Sequence, residues 1–210
     1  MNKIITIGRE FGSGGREFAK HMAEALGFAY YDGEIIAAIA KRSSLAEGYV
    51  SQVVEQRIRT YYPITVATTL SVPQDDAIFA VTRSIYAAQS EILREMARKS
   101  SCVIVGRCAD HILAEFHPLR IFLYADMAER IARCRTMGED FQGASDKVLE
   151  RKIREVDRSR AQYYRFYTGK AWGDRLNYDL CINAGGLNLA AAARAISMLV
   201  EKGPLENSAR

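Results

Sequence analysis

The sequence predicts an α/β protein: a three-layer α/β/α sandwich built on a five-stranded parallel sheet. Three observations predict it. Five short β-branched or apolar runs, residues 3–7 (KIITI), 28–31 (FAYY), 102–105 (CVIV), 120–124 (RIFLY) and 178–182 (YDLCI), are spaced by longer segments of helical pattern. Two of the runs, KIITI and CVIV, do not alternate polar with apolar, as expected of strands covered on both faces. A glycine-rich turn follows the first run directly. In such sheets ligands bind beyond the carboxyl ends of the strands.

Each element has its own warrant. In residues 14–26, Phe18, Met22, Ala25 and Leu26 recur on one helical face. The second strand stops at Asp32-Gly33. Residues 34–58 carry helical patterns, and 59–74 read as irregular because Pro63 and Pro73 break them. Asp75 and Asp76 open a long helix to about Lys99, since acidic residues favour a first turn. Gly106-Arg107 follows the third strand and leads into a helix. Further helices are expected over 126–137, 144–167 and 187–201.

Composition narrows the class. The 210 residues suffice for one sizeable core, and 49% hydrophobic with 26% charged residues fits a soluble globular chain. No apolar run reaches membrane-spanning length. No secretory leader is expected, and a cytoplasmic location is. The four cysteines, Cys102, Cys108, Cys134 and Cys181, lack C-x-x-C spacing, so buried reduced thiols are expected and no metal-ligating residue is assigned. A net charge of +4 suits small anionic ligands at least as well as nucleic acid.

Gly8, Gly12, Gly14 and Gly15 lie between the first strand and first helix. Glycines let backbone N–H groups approach a phosphate, and a helix amino end adds partial positive charge. The spacing G-x-x-x-x-G-K-[ST] is not met in either register. Begun at Gly8, it puts Ser13 at the second glycine. Begun at Arg9, it keeps Gly14 but puts Gly15 at the lysine and Arg16 at the hydroxyl. A dinucleotide loop fits Gly12 and Gly14, with Asp32 at the distance of a ribose-binding acid, but Glu17 takes its third glycine. A structural turn is the remaining alternative. An altered phosphate loop accounts for most of the pattern, with Arg16, or else Arg9, supplying the cation.

Two further places stand out. Asp32 is a helix cap in the plain reading. Gly106-Arg107-Cys108-Ala109-Asp110 puts a guanidinium at the strand end, where it can fork onto phosphate, with a carboxylate one turn on. An internal Arg107–Asp110 pair is the alternative. Residues 144–170 hold eight Lys/Arg and four Asp/Glu, an excess equal to the net charge of the chain. Lys147, Arg151, Arg154 and Arg158 share one face, with Asp157 and Arg160 beside it. A solvated helix with pairs such as Glu150–Arg154 is one reading, and a mobile basic lid over bound phosphates is the other. A nucleic-acid stripe is disfavoured because Tyr163, Tyr164 and Tyr167 cluster at one end and are not interleaved with the charges.

Together, ITIGREFGSGGREFAKHMAEALG, YYDGEII, VIVGRCADHIL, DRSRAQYY and YDLCINA resemble the cytidylate kinase-like family, divergent P-loop nucleoside monophosphate kinases, over about residues 2 to 200. The resemblance implies a P-loop NTPase-type sheet in one kinase domain. Its core would be 1–32, 100–143 and 171–205, with a helical acceptor-binding insert at 33–99 and a basic lid at 144–170. It implies transfer of the ATP γ-phosphate to CMP or dCMP with Mg²⁺. Gly8, Arg9, Gly12, Ser13, Gly14, Gly15 and Arg16 would hold ATP. Asp32, Arg83, Arg107, Asp110 and Asp157 would hold the acceptor. Arg16, Arg154, Arg158 and Arg160 would neutralise the transferring charge. Relatives keep a lysine where Gly15 stands, join Asp directly to the strand-end Arg, and carry an arginine where Ala37 and Ala38 stand here.

Overall fold

The structure, a computed structural model, describes residues 2–55 and 74–202. In chain order the elements are β1 (Ile4–Arg9), α1 (Gly15–Leu26), β2 (Ala29–Tyr31), α2 (Glu34–Ser43), α3 (Glu47–Glu55), α4 (Gln74–Lys99), β3 (Cys102–Val105), α5 (Ala109–Ile112), β4 (Leu119–Tyr124), α6 (Met127–Arg135), α7 (Glu139–Gln142), α8 (Asp146–Thr168), β5 (Leu180–Asn183) and α9 (Leu189–Lys202). The five strands form one sheet in the order β2-β3-β1-β4-β5, and every pairing is parallel. Both neighbours of β1 are remote in sequence, so β1 lies at the centre and the chain reverses direction across the sheet beside it.

Alternation along the strands sorts two cores. Ile4, Cys102 and Ile104 face a cluster with Ile35, Ile39, Ile85, Leu93, Tyr163 and Tyr164, contributed by α2, α4 and α8. Ile5, Ile7, Val103 and Val105 face Phe18, Met22, Leu189 and Ala193 from α1 and α9. That is the three-layer arrangement, with period-two burial in the strands matched to helical stripes on either side. Each fully buried Ile, Leu or Phe contributes about 1.5–3 kcal/mol of transfer free energy.

Several boundaries differ from the sequence reading. The helical stretch from 34 divides at Ser44, which takes a left-handed conformation (φ 55°), while Ser43 Oγ donates to Ile39 O at 2.7 Å in place of a continuing helix. The helix after Gly106-Arg107 lasts four residues before a 3-10 turn at Ala114–Phe116. The last strand starts at Leu180, because a 3-10 turn at Arg175–Asn177 occupies the approach to it. Of the stretch 59–74, read as irregular, residues 59–73 lie outside the described residues and Gln74 opens α4.

Residues 33–99 supply α2, α3 and α4 and residues 144–170 supply α8. Both pack on the same face of the sheet. Tyr163 and Tyr164 are buried in that core, so the second half of α8 is anchored to it. Among the described residues no helix is long and apolar enough to cross a membrane.

Candidate functional site

β1 runs on to Arg9, two residues beyond the expected strand end, so Gly8 and Arg9 belong to the strand and the turn proper is Glu10–Gly14. Gly8 is needed for packing, since a Cβ there would lie 2.8 Å from a Phe122 ring carbon. Gly12 and Gly14 have φ of 78° and 84°, conformations that glycine adopts without strain. Gly14 caps α1 with no side-chain hydrogen bond, which leaves the first amides of that helix to an external acceptor. Ser13 is buried and its hydroxyl donates to Glu10 O at 2.9 Å, so it shapes the turn rather than facing out of it.

A buried arginine that the sequence reading did not single out holds this turn. Arg130 on α6 donates to Phe11 O at 2.7 Å, lies 3.1 Å from Glu10 and pairs with Asp157. Asp157 on α8 in turn accepts the Phe11 N–H at 2.8 Å. One strand end and two helices are thereby joined through one guanidinium. Burial raises the pKa of Glu10 despite Arg130 beside it. The signal in the sequence was slight: Arg130 and Cys134 are both buried and stand i, i+4 on α6, a charge on an otherwise apolar stripe.

The ends of β1, β2 and β3 meet around Arg9. Asp32, just past β2, lies 2.7 Å from Arg16 Nε through Oδ2 and 4.0 Å from Arg9 Nη2 through Oδ1. The Arg9 and Asp32 side chains are 12% and 11% exposed, while Arg16 is half-exposed at 52%. Burial, then Arg160, Arg16 and Arg107, push the pKa of Arg9 well down, and only Asp32 opposes them. Arg160 donates to Arg9 O at 3.1 Å and sits over the Phe11 ring. Arg16, Arg107 and Arg160 therefore gather on Arg9, with Asp32 facing Arg9 and Arg16 and with Asp157, already paired with Arg130, 3.8 Å from Arg160. That imbalance is chemically suited to phosphate, which guanidinium groups hold by charge and by paired hydrogen bonds.

Arg107 is held in an unusual backbone. Gly106, Arg107 and Cys108 all have positive φ, of 73°, 60° and 52°. A non-glycine residue held there costs on the order of 1–3 kcal/mol, and such strain gathers at functional sites. Gln89, buried on α4, donates to Arg107 O at 3.0 Å and accepts from Tyr163 at 3.3 Å, which pins the conformation. Asp110 is turned toward α8, accepting from the Tyr164 hydroxyl at 2.6 Å, and burial raises its pKa.

The expected residues thus divide. Arg9, Arg16, Asp32, Arg107 and Arg160 come together. Asp157 is brought to the glycine turn, where its oxygens serve Phe11 and Arg130 and lie 3.8 Å from Arg160. Arg154 and Arg158, expected to meet the transferring charge, are instead exposed on the outer face of α8, and Arg154 is paired with Glu150 at 2.7 Å. Helix rotation explains this: Ile153 and Tyr164 turn inward, so the stripe through Lys147, Arg151, Arg154 and Arg158 turns outward. Arg83 is exposed on α4 and does not join the cluster. Among the described residues, no group of three or more His, Cys, Asp or Glu side chains is placed to hold a metal ion.

The comparisons with known proteins agree with this architecture. A family model described as the cytidylate kinase-like family matches residues 4–185. A crystal structure of an uncharacterized protein from Eubacterium ventriosum is 28% identical, with a TM-score of 0.69, covering 97% of this chain and 100% of that one. Shikimate kinase from Bacteroides thetaiotaomicron is 16% identical, with a TM-score of 0.57 over 95% of this chain and 98% of that one. Shikimate kinase from Acinetobacter baumannii, in complex with shikimate, is 14% identical, with a TM-score of 0.53 over 98% and 96%. No curated protein gives a match.

Proposed function

The chain belongs to the cytidylate kinase-like family, and from that premise we propose that it is an ATP-dependent phosphotransferase whose acceptor is CMP or dCMP. The observation that carries this reading is the cluster of Arg16, Arg107 and Arg160 about Arg9, with Asp32 beside it, at the carboxyl edge of the sheet and next to the uncapped amino end of α1. Phosphoryl transfer needs positioning and positive charge more than covalent chemistry. The cluster supplies the charge, and the strained Gly106–Cys108 turn supplies the positioning.

The residues take distinct roles in an in-line transfer without a covalent intermediate. The turn Gly12–Gly15 and the first amides of α1 hold the donor phosphates. Arg16 and Arg160 neutralise charge on the transferring group. An arriving phosphate competes with Asp32 for Arg16, which frees the carboxylate to accept a hydrogen bond from the acceptor. Arg107 binds the acceptor phosphate, and Asp110 stands at the acceptor end of the site. Arg154 and Arg158 contribute only a surrounding positive field. Magnesium fits in the way it usually serves such sites, held chiefly by phosphates and water, where it screens their charge. Asp32 is the carboxylate at hand, and the buried Ser13 hydroxyl is already committed.

Phosphorylation of another small acceptor on the same fold is the second reading. Ala37 and Ala38 favour it, because they leave the start of α2 without a cation for a nucleotide phosphate. A binding module without turnover is a third reading, suggested by Gly15 in place of lysine. ADP release from ATP and Mg²⁺ against CMP, dCMP, UMP, AMP, GMP, dTMP and shikimate separates the three. Turnover confined to CMP or dCMP supports the proposal, turnover confined to another acceptor supports the second reading, and silence with ATP bound supports the third.

A further inference from the structure

The loop lacks its lysine, and the path of Arg9 says where the charge went. The Arg9 side chain leaves the end of β1 and runs past Gly15. A Cβ on Gly15 would overlap the Cβ of Arg9 and lie 2.8 Å from its Cγ. The guanidinium then crosses Gly106, where an added Cβ would fall on Nη1 and lie 3.1 Å from Cζ. Both glycines are thus bare where Arg9 passes. Gly15 has no positive φ to explain its lack of a side chain, so for it the close approach is the reason. At the far end Nη2 comes within 4.0 Å of Asp32, and the buried Nε has no hydrogen-bond partner among the described residues. A buried, incompletely satisfied guanidinium lies where the glycine turn meets the strand ends on the acceptor side.

Arg9 and Gly15 are therefore an exchanged pair. In G-x-x-x-x-G-K-[ST] the first glycine and the lysine stand six positions apart, and the lysine reaches the β- and γ-phosphates. Here those positions hold Arg9 and Gly15. An arginine at the first requires a bare residue at the second, because the two side chains would contend for one space. Arg16, the other cation of the turn, is half-exposed and already bonded to Asp32, so it lies nearer the rim.

We propose that Arg9 replaces the phosphate-loop lysine, reaching the terminal phosphate of the bound nucleotide from the end of β1 through a channel kept open by Gly15 and Gly106. The assignment rests on the reading of the protein as an ATP-dependent phosphotransferase and deepens it: the loop is rewired and functional, not degenerate. Burial and the surrounding arginines lower the pKa of Arg9, a cost that a phosphate anion beside it relieves.

The test is calorimetric binding of ATP and of ADP, without acceptor, to four proteins: wild type, Arg9→Ala, Gly15→Lys and the double variant Arg9→Gly/Gly15→Lys, which spells the usual spacing from position 9 to position 15. Arg9→Ala should weaken ATP binding by about 10- to 100-fold, the range of one hydrogen bond to a charged group, and ADP binding less. Gly15→Lys should bind ATP poorly and melt early, because lysine and Arg9 overlap. The double variant should bind ATP better than either single variant. It also serves as the folding control, since it removes Arg9 while restoring the loop. Wild-type affinity in Arg9→Ala overturns the assignment and leaves the phosphotransferase reading standing. A double variant no better than Gly15→Lys overturns the exchange, and equal losses for ATP and ADP overturn the contact to the terminal phosphate. Wild-type protein that binds neither nucleotide overturns the phosphotransferase reading and this assignment together.

Discussion

Two arginine-rich regions of this molecule look alike in composition and differ in what surrounds them. The inner one gathers Arg16, Arg107 and Arg160 about Arg9, with Asp32 against Arg9 and Arg16, where three strands end. The outer one sets Lys147, Arg151, Arg154 and Arg158 along the exposed face of α8. In the outer stripe, solvent and salt screen the charges, and Glu150 partly offsets them. In the inner cluster the low dielectric leaves an excess of positive charge that only an anion satisfies. Burial, not the number of arginines, decides which is a site.

Variants that break the comparison rank by how much buried charge they strand. Arg130→Ala should have the largest effect, because it leaves Glu10 and Asp157 without their buried partner. A loss of about 3–5 kcal/mol is expected in urea unfolding. Arg160→Ala should keep the fold and lower turnover about 10²–10³-fold, the scale of one lost electrostatic donor, as a steady-state ADP assay would read. Gly106→Ala should cost on the order of 1–3 kcal/mol, because it forces a side chain into a positive φ and against Arg9. Its melting temperature should recover in part when combined with Arg9→Ala, which removes the clash and leaves the positive φ. Arg158→Ala, on the outer stripe, should change stability by no more than about 0.5 kcal/mol, as surface substitutions do.

The smallest effect expected is one of pH. Burial raises the pKa of Asp110 from its ordinary value, so the folded protein holds that proton more tightly than the unfolded chain does. The neutral form carries no penalty at low pH. Stability therefore falls as pH climbs from the ordinary carboxylate range through the raised value, and stays lower above it. Asp110→Asn cannot ionise and still accepts from Tyr164. It should flatten that fall when urea midpoints are compared between acid and neutral pH, and wild-type steepness in the variant would contradict the assignment.

The sheet was legible because KIITI and CVIV carry strand burial in their composition, and the glycine turn because its residues recur at a recognised spacing. The resemblance to a kinase family supplied the acceptor side. The inner cluster was only partly legible. Arg9, Arg16, Arg107 and Arg160 were each in view, yet they lie far apart in the chain, and only the parallel strand order brings them together. Arg130 was missed because an arginine on a helix ordinarily faces water, and nothing local says that Glu10 and Asp157 converge on it. The stripe on α8 drew attention for the opposite reason, since its spacing is regular, and helical spacing alone does not say which face turns outward.

The measurement that meets the central claim most directly is ATP affinity, by calorimetry without acceptor, of Arg160→Ala beside the double variant Arg154→Ala/Arg158→Ala. The account predicts that the inner change weakens ATP binding by about 10-fold or more while the outer pair stays within about 2-fold of wild type in physiological salt. Weakened binding in the outer pair with Arg160→Ala unchanged would contradict it, and would place the phosphate contacts on the exposed face of α8.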